Sequence, residues 1–373
     1  MDPSTSGASV DVIGVTKRYG DAPPAVDSLD LHIKPGEFLT LLGPSGSGKT
    51  TTLNMIAGFV DLTEGEVRMD GTQISALPPH RRNIGMVFQH YALFPHMSVA
   101  DNIAYPLRQR KVAKSEIARA VSESLEKVQL TKYANRLPRE LSGGQQQRVA
   151  VARATVFKPR LLLMDEPLGA LDKKLREALQ LSFKELHRDL GITMVCVTHD
   201  QEEALVMSDR IALFNEGRIE QMGSVTDLYE RPSSRFVASF LGQSNMLDGV
   251  ARHDDATTAV SYGSLALRGR RSEVADGSAA TLVIRPERTR IVRESDSYSG
   301  NVLRGYVRDV VYLGATSKLV VDLEAGATWT VALPAGMINV PAIGSTVELT
   351  FDEKDAFVVP PSSHLGKAIL SGS

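Results

Sequence analysis

The order of apolar and polar residues divides the chain into two parts. Between residues 10 and 242, apolar runs of strand length alternate with stretches of helical periodicity. This alternation is typical of an α/β domain built around a largely parallel sheet. The central strands of the predicted sheet are residues 38–42, 84–88, 161–164 and 194–198.

Two regions within this part have helical patterns of different kinds. Residues 172–190 repeat apolar side chains at steps of three and four, which predicts a helix with one face on the sheet. Residues 94–155 show little strand-like patterning and carry helical charge patterns, so they are predicted to form a helical insertion in the α/β domain. The repeating apolar residues of the first helix are Leu175, Leu179, Phe183, Leu186 and Leu190.

The pattern changes after Gly242 to short alternating runs that are interrupted by Gly, Asp and Pro. Such runs predict a second, mostly β domain over residues 243–362. The boundary is placed at Gly242 because the last helical pattern ends there, and glycine commonly follows the end of a helix. Residues 1–9 and 363–373 are predicted to be flexible tails.

Composition narrows the class of protein without identifying it. The 373 residues are 42% hydrophobic and 23% charged, as expected for globular domains. Acidic residues (44) nearly balance basic ones (42), so bulk charge gives no indication of a nucleic-acid partner. A single cysteine, Cys196, allows no internal disulfide and favours the cytoplasm. No apolar stretch approaches the roughly 20 residues that span a bilayer, so any membrane role requires a partner.

Residues 43–50 match the phosphate-binding pattern G-x-x-x-x-G-K-[ST], with a predicted strand before it and a predicted helix after it. Glycines allow the backbone to curl around phosphate oxygens, and Lys49 adds a cation for the β- and γ-phosphates. The Thr50 hydroxyl is the predicted Mg²⁺ ligand. The predicted nucleotide-binding residues of this loop are Gly43, Pro44, Ser45, Gly46, Ser47, Gly48, Lys49, Thr50 and Thr51.

Two carboxylates follow the predicted strand at residues 161–164. Asp165 stands where a phosphate-binding loop needs a second Mg²⁺ anchor, at the carboxyl edge of the sheet. Glu166 is then placed to accept a proton from an attacking water, as hydrolysis requires. Alone, an Asp-Glu pair after a strand is usually a solvated turn, but the upstream loop favours the catalytic interpretation.

Residues 141–145, Leu-Ser-Gly-Gly-Gln, resemble the signature sequence of ATP-binding cassette (ABC) ATPases. Other pieces occur in the order that this family shows, and the resemblance extends over residues 10–242. It implies an ABC-type P-loop ATPase with ATP and Mg²⁺ as cofactors. The other matching positions are Tyr19, Gln89, Leu171-Asp172 and His199.

The resemblance implies a role for each of three isolated residues. Tyr19 would stack on adenine, Gln89 would contact Mg²⁺ or the attacking water, and His199 would donate to the γ-phosphate as a catalytic residue beside Glu166 and Lys49. The residues alone leave other interpretations open: a packed tyrosine, a solvent-facing glutamine and a structural histidine.

The signature residues imply a second subunit. They begin a helix whose positive end favours an anion, yet another loop of the chain already holds the nucleotide. In the family, Ser142, Gly143, Gly144 and Gln145 of one subunit cover the ATP on Lys49 of the other, which implies a homodimer. A glycine-rich helix start needed only for packing is the alternative.

Three C-terminal stretches resemble ATPase subunits of bacterial importers that carry an extra β domain of the oligonucleotide-fold type. They are residues 228–232, 235–242 and 284–287, and the polyamine (spermidine/putrescine) branch matches them best. The resemblance implies an ATPase that powers solute import through a separate permease, with an extracytoplasmic solute-binding protein acting indirectly. It also implies a peripheral position on the cytoplasmic face of the inner membrane.

The permease is expected to dock near residues 89–94, with Tyr91, Leu93 and Phe94 as anchors, although these side chains could equally be core. Import of another solute, such as ferric iron, a sugar or sulfate, is the main alternative. A soluble ABC ATPase without a transport role and a nucleotide-dependent switch are the rivals from other classes.

Overall fold

A computed structural model of the chain describes residues 7–169, 173–292, 300–334, 336 and 340–361. The chain divides into two compact units between Val225 and Thr226. The Leu171-Asp172 pair and the predicted tail at 363–373 lie outside the described residues.

The first unit combines strands and helices, as the alternating pattern predicts. Its strands are β1 (Val10–Lys17), β2 (Val26–Ile33), β3 (Phe38–Leu42), β4 (Glu64–Met69), β5 (Thr72–Gln73), β6 (Gly85–Val87), β7 (Leu161–Asp165), β8 (Thr193–Thr198), β9 (Arg210–Asn215) and β10 (Arg218–Ser224). Its helices are α1 (Lys49–Ala57), α2 (Val99–Gln109), α3 (Lys114–Lys127), α4 (Gly143–Thr155), α5 (Lys173–Leu190) and α6 (Gln201–Met207). No helix in the described part of the chain is long and apolar enough to cross a bilayer.

A six-stranded sheet in the order β10-β9-β3-β8-β7-β6 forms the centre of this unit. Strands β9, β3, β8, β7 and β6 run parallel, and β10 pairs antiparallel with β9 at the edge. Every residue of β3 and β8 is buried, as expected for parallel strands that are covered on both faces. The predicted parallel α/β sheet is confirmed, and its four predicted strands are β3, β6, β7 and β8.

A second, antiparallel sheet in the order β2-β1-β4-β5 shares a core with α1 and the central sheet. Helix α5 packs on the central sheet through Leu179 and Phe183, which are buried, and through the half-buried Leu175, Leu186 and Leu190. This is the apolar face that the steps of three and four predict.

Helices α2, α3 and α4 account for most of residues 94–155. They share a core of their own, to which α2 contributes Val99 and Ile103, α3 contributes Leu125, and α4 contributes Val149. The side of α4 that carries Ala150 and Ala154 belongs instead to the core of the central sheet. Helix α4 therefore joins the helical region to the sheet.

The start of the described chain differs from the predicted tail over residues 1–9. Ala8 is fully buried, its N–H donates to the carbonyl of Arg160, and its own carbonyl accepts a hydrogen bond from Thr193 Oγ1 at 2.6 Å. The Ser9 N–H donates to Asp70. These contacts fix residues 7–9 on the first unit although their composition is typical of a loop.

The second unit is mostly β, as the alternating runs predict. Its elements are α7 (Val225–Glu230), which begins at the boundary, α8 (Arg235–Phe240), β11 (Asn245–His253), β12 (Thr257–Tyr262), β13 (Leu265–Arg270), β14 (Ala279–Ile284), β15 (Arg290–Ile291), β16 (Asn301–Tyr312), β17 (Thr316–Leu323), β18 (Thr328–Pro334), β19 (Thr346–Phe351) and β20 (Phe357–Val359). The strands form two five-stranded antiparallel sheets, β13-β12-β11-β14-β20 and β15-β19-β16-β17-β18. Both sheets contribute to a core that includes the fully buried Trp329.

The boundary between the units lies earlier in the chain than the predicted one at Gly242. Arg285, which is 2% exposed, donates to the carbonyls of Tyr229 and Ala238 at 3.0 and 3.1 Å and to Ser244 Oγ at 2.6 Å. Its guanidinium also lies 4.0 Å from the centre of the Tyr229 ring. These contacts join residues 226–242 to the β strands, a connection that periodicity alone does not reveal.

A chain that ends at Val225 should fold and bind ATP as well as the full chain, because the predicted phosphate-handling residues all precede this position. A chain that ends at Gly242 should bind ATP but self-associate, because the buried Leu228, Val237 and Leu241 lose their cover. Calorimetric titration with ATP and size-exclusion chromatography measure the two properties. A folded 1–225 chain that binds no ATP would place part of the site in the second unit.

Candidate active site

The loop between β3 and α1 has the backbone that its glycines predict. Gly43, Gly46 and Gly48 adopt positive φ angles of 151°, 79° and 100°. At Gly48 a side chain is excluded, because a Cβ atom would come within 2.5 Å of the carbonyl oxygen of Ala25. The loop enters α1 at Lys49, so the first turn of the helix is part of the site.

Lys49 folds back over this loop and is only 5% exposed. Its ammonium donates to the carbonyls of Gly43 and Pro44 at 2.9 and 2.7 Å and to Ser47 Oγ at 3.3 Å. Burial lowers the pKa of Lys49, while the nearby carboxylates of Glu166 and Asp165 act in the opposite direction. The loop thus holds a cation near the two carboxylates at the end of β7, Asp165 and Glu166.

Asp165 is the last residue of β7, and its carboxylate meets the loop. Thr50 Oγ1 donates to Asp165 Oδ1 at 3.1 Å. Burial raises the pKa of Asp165, although the hydrogen bond from Thr50 and the charge of Lys49 oppose this change. A hydroxyl and a carboxylate, both oxygen donors, are therefore adjacent at the edge of the sheet.

Glu166 is the point at which three elements converge. Gln89 Nε2 donates to its Oε2 at 2.9 Å, and His199 Nδ1 lies 3.1 Å from its Oε1. Glu166 itself has a φ of 44°, unusual for a residue with a side chain, and its N–H donates to Val197 in β8. Gln89, Glu166 and His199 follow β6, β7 and β8, so the parallel order of these strands brings them together.

Residues outside the sequence motifs hold the turn that carries His199. Thr198 Oγ1 donates to Glu203 Oε2 at 2.6 Å and accepts from the Asp200 N–H at 3.0 Å. Arg176 of α5 donates to Asp200 Oδ2 at 2.7 Å. Asp200 caps α6, since its carboxylate accepts from the N–H groups at the start of that helix. Glu202 and Glu203 both lie in the first turn of α6, and the sequence alone does not show that Glu203 is the buried one.

Tyr19 follows the end of β1 by two residues and is 52% exposed. The Lys17 ammonium is 4.9 Å from its ring centre. A ring so exposed does not fit the alternative of a packed core tyrosine.

The signature residues form a helix start that stands apart from these contacts. Ser142 caps α4, and its N–H donates to Gln145 Oε1 at 3.0 Å while the Gln145 N–H donates back to Ser142 Oγ at 3.4 Å. Ser142 and Gly143 are exposed, whereas Gly144 packs against Leu175 so closely that a Cβ would lie 3.0 Å from that side chain. The described hydrogen bonds of Ser142 and Gln145 do not bring them to Lys49.

The three expected anchors of the docking segment differ in their burial. Tyr91 is 7% exposed and belongs to the core of the central sheet, so the core alternative applies to it. Leu93 and Phe94 are half-buried, and the Phe94 ring centre is 4.6 Å from that of Tyr105. The exposed neighbours His90 and Ala92 interleave with them.

Comparison with known proteins identifies the family. A family model described as ABC transporter matches residues 26–169, and a TOBE domain model matches residues 282–359. The chain is 47% identical to the spermidine/putrescine import ATP-binding protein PotA of Thermobifida fusca, over 94% of this chain and 93% of that protein. A PotA of Pseudomonas aeruginosa is 46% identical, over 91% of this chain and 95% of that protein.

The chain belongs to the ABC transporter family. Solved structures agree for the first unit: the dimeric ATP-binding cassette MJ0796 with ADP and Pi is 37% identical, with a TM-score of 0.53 over 58% of this chain and 98% of that one. The cassette cbiO1 of Clostridium perfringens is 27% identical, with a TM-score of 0.56 over 60% of this chain and 90% of that one. The predicted resemblance is confirmed, and this ABC protein is an ATPase that binds ATP or ADP.

Proposed function

We propose that this ABC ATPase powers solute import through a separate membrane permease and that its solute is a polyamine, spermidine or putrescine. The observation that carries the proposal is the 46–47% identity to import ATP-binding proteins named for these two solutes. The match extends over more than nine-tenths of each chain and so includes both units. The site in the first unit supplies the chemistry that such a subunit needs.

The loop after β3 is proposed to hold the ATP phosphates, with Lys49 on the β- and γ-phosphates. Its ammonium now bonds two carbonyls of its own loop, and anionic phosphate oxygens are stronger acceptors for the same donor. The exposed face of Tyr19 is proposed to stack on adenine. The loop residues in this role are Gly43, Pro44, Ser45, Gly46, Ser47, Gly48, Lys49, Thr50 and Thr51.

The donors at the edge of the sheet fit Mg²⁺, which prefers oxygen ligands and is usually held by one or two protein groups together with phosphate. Thr50 and Asp165 lie within hydrogen-bond distance of each other and offer such oxygens. The side chain of Gln89 offers an amide oxygen from the neighbouring strand end. We propose these three residues as the protein's ligands; bound there, the ion would neutralise charge on the phosphates.

Glu166 is proposed as the general base that accepts a proton from the attacking water. Gln89 and His199 contact its two carboxylate oxygens, which supports a role in orienting the base toward the water. His199 is proposed to donate to the γ-phosphate. The Thr198–Glu203 hydrogen bond and the Arg176–Asp200 ion pair hold the turn that presents it.

Two copies of the chain are proposed to share each ATP. The cassette MJ0796 is dimeric, and the exposed Ser142 and Gly143 have no described contact with Lys49 of their own chain. A helix start that is exposed and capped favours an anion from outside. We therefore propose that Ser142, Gly143, Gly144 and Gln145 cover the nucleotide of the partner.

The permease is proposed to dock near residues 89–94, where the half-buried Leu93 and Phe94 follow Gln89. The protein would then lie on the cytoplasmic face of the inner membrane, peripheral through the permease. An extracytoplasmic solute-binding protein would act indirectly.

Deletion of the gene should abolish high-affinity uptake of radiolabelled putrescine or spermidine, because the permease loses its source of energy. Restoring the wild-type chain, but not its Glu166→Gln variant, should restore uptake. Normal polyamine uptake with loss of ferric iron, sugar or sulfate uptake would assign another solute. If vesicles that contain the cognate permease do not stimulate the ATPase activity, the proposed importer function is contradicted.

A further inference from the structure

The turn that follows Gln89 has an unusual backbone. Tyr91 and Ala92 adopt φ angles of 60° and 45°, in the left-handed region that residues with side chains rarely occupy. They are the only two consecutive non-glycine residues with positive φ in the described ranges. A conformation this disfavoured persists only where the surrounding structure holds it.

The side chain of Arg153 holds this turn. Its Nη1 donates to the Ala92 carbonyl and its Nη2 to the Tyr91 carbonyl, each at 2.8 Å. Arg153 is 9% exposed, and its guanidinium carbon lies 5.5 Å from the centre of the Phe94 ring. A buried guanidinium is stable only when it is hydrogen-bonded, and its planar fork fixes both peptide groups at once.

A second buried side chain holds the other end of the segment. Asn102 of α2 is fully buried, accepts from the Phe94 N–H at 2.9 Å and donates to the Phe94 carbonyl at 3.1 Å. It also donates to the Met97 carbonyl at 3.2 Å. Helices α2 and α4 pack against each other, so the segment after Gln89 is bonded at both ends to one packed pair of helices.

Arg153 lies in the last turn of α4, and Ser142 caps the first turn of the same helix. The two residues are about 16 Å apart along a helix that rises about 1.5 Å per residue. On the other side, Gln89 precedes Tyr91 by two residues and donates to Glu166 at 2.9 Å. One continuous series of bonded groups thus runs from the signature helix to the proposed base.

We propose that Arg153 is a positioning residue that locks the turn after Gln89 to helix α4, so that the signature helix and Gln89 move as one body. The inference rests on the proposed role of Gln89 in hydrolysis, since Arg153 acts through it. The described contacts of Arg153 are with Tyr91, Ala92 and the Phe94 ring, and none is with Lys49 or Glu166.

The full-length Arg153→Lys variant, which keeps the charge and loses the fork, should hydrolyse ATP with a kcat about 10-fold lower and an unchanged KM. Displacing a catalytic group by about 1 Å costs up to about 10²-fold in rate, while the loop that binds nucleotide is untouched. Steady-state kinetics measure both constants. A lower melting temperature with unchanged kcat would indicate a purely structural role and overturn the inference.

The Ala92→Gly change should make the turn less dependent on Arg153, because glycine adopts positive φ without strain. Ala92→Gly should restore most of the kcat that Arg153→Lys loses. Lys158→Gly is the matched control, since Lys158 also has a positive φ of 55° and lies just beyond α4. Equal recovery of kcat with Ala92→Gly and with Lys158→Gly would contradict the proposed role of the turn.

A further variant keeps the test informative if Arg153→Lys folds poorly, and a double variant tests whether Arg153 acts through Gln89. Ala92→Val leaves Arg153 in place but disfavours the left-handed turn, and it should lower kcat with KM unchanged. Combining Gln89→Ala with Arg153→Lys should slow hydrolysis no more than Gln89→Ala alone. A further equal loss in the double variant would place the effect of Arg153 elsewhere and overturn the inference.

The same variants distinguish a failure of the proposed role of Gln89 from a failure of the inference about Arg153. Wild-type kcat for Gln89→Ala would contradict the proposed role of Gln89, and the inference would fall with it. A slow Gln89→Ala variant beside Arg153→Lys and Ala92→Val variants with wild-type kcat would overturn the inference alone.

Discussion

The Glu166→Gln variant should bind ATP and Mg²⁺ as the wild type does and lose hydrolysis. The amide keeps the shape that Gln89 and His199 contact but cannot accept a proton from water. A general base contributes about 10² to 10⁴-fold in rate, or about 3 to 5 kcal/mol of barrier. Phosphate release measures turnover, and calorimetric titration measures binding.

With ATP left uncut between Lys49 of one chain and Ser142 of its partner, the closed dimer should accumulate. Size-exclusion chromatography with ATP and Mg²⁺ detects it as a shift from monomer to dimer. Glu216→Gln is the matched control, because Glu216 is exposed and also has a positive φ, of 47°. Hydrolysis by Glu166→Gln at close to the wild-type rate would show that Glu166 is not the base.

The Lys49→Ala variant should lose nucleotide affinity rather than the chemical step alone. It removes a buried cation whose ammonium bonds the loop that is proposed to bind phosphate. A hydrogen bond to a charged group contributes about 1.5 to 3 kcal/mol, so two such bonds to phosphate correspond to at least about a 100-fold rise in Kd. Equilibrium binding of a fluorescent ATP analogue measures the change.

Lys184→Ala is the control for removing a lysine that also bonds a carbonyl. The Lys184 ammonium donates to Val206 at 3.2 Å on the exposed side of α5, away from the loop. The Lys184→Ala variant should leave both ATP affinity and dimerisation unchanged, whereas Lys49→Ala should form little ATP-dependent dimer. Wild-type ATP affinity in Lys49→Ala would require the phosphate site to be redrawn.

Local sequence was sufficient where one short segment determines its own conformation. The continuous apolar runs at β3, β7 and β8 predict buried parallel strands, and the loop from Gly43 to Thr50 contains in itself the glycines that its backbone needs. The face of α5 follows from its spacing in the same way. In each case the relevant interactions lie within one element or between an element and a generic apolar core.

Burial of single residues was harder to predict. Tyr91 resembles an exposed anchor in sequence but lies in the core, and Ala8 is buried in a stretch with the composition of a tail. Arg285 joins residues 226–242 to the β strands, so the boundary between the units lies at Val225 and not at the predicted Gly242. Each of these depends on a partner distant in the chain, and periodicity carries no information about such partners.

The sequence by itself determined the fold class and the ATPase family, and it named the residues that are proposed for the site. Only the tertiary structure decided how these residues meet: Gln89 and His199 on the two oxygens of Glu166, Thr50 on Asp165, and Arg153 on the turn after Gln89. The reason is that the order and direction of strands β6, β7 and β8 bring together side chains that are 33 to 77 positions from Glu166. Such a meeting arises from packing of the whole sheet, which no single segment encodes.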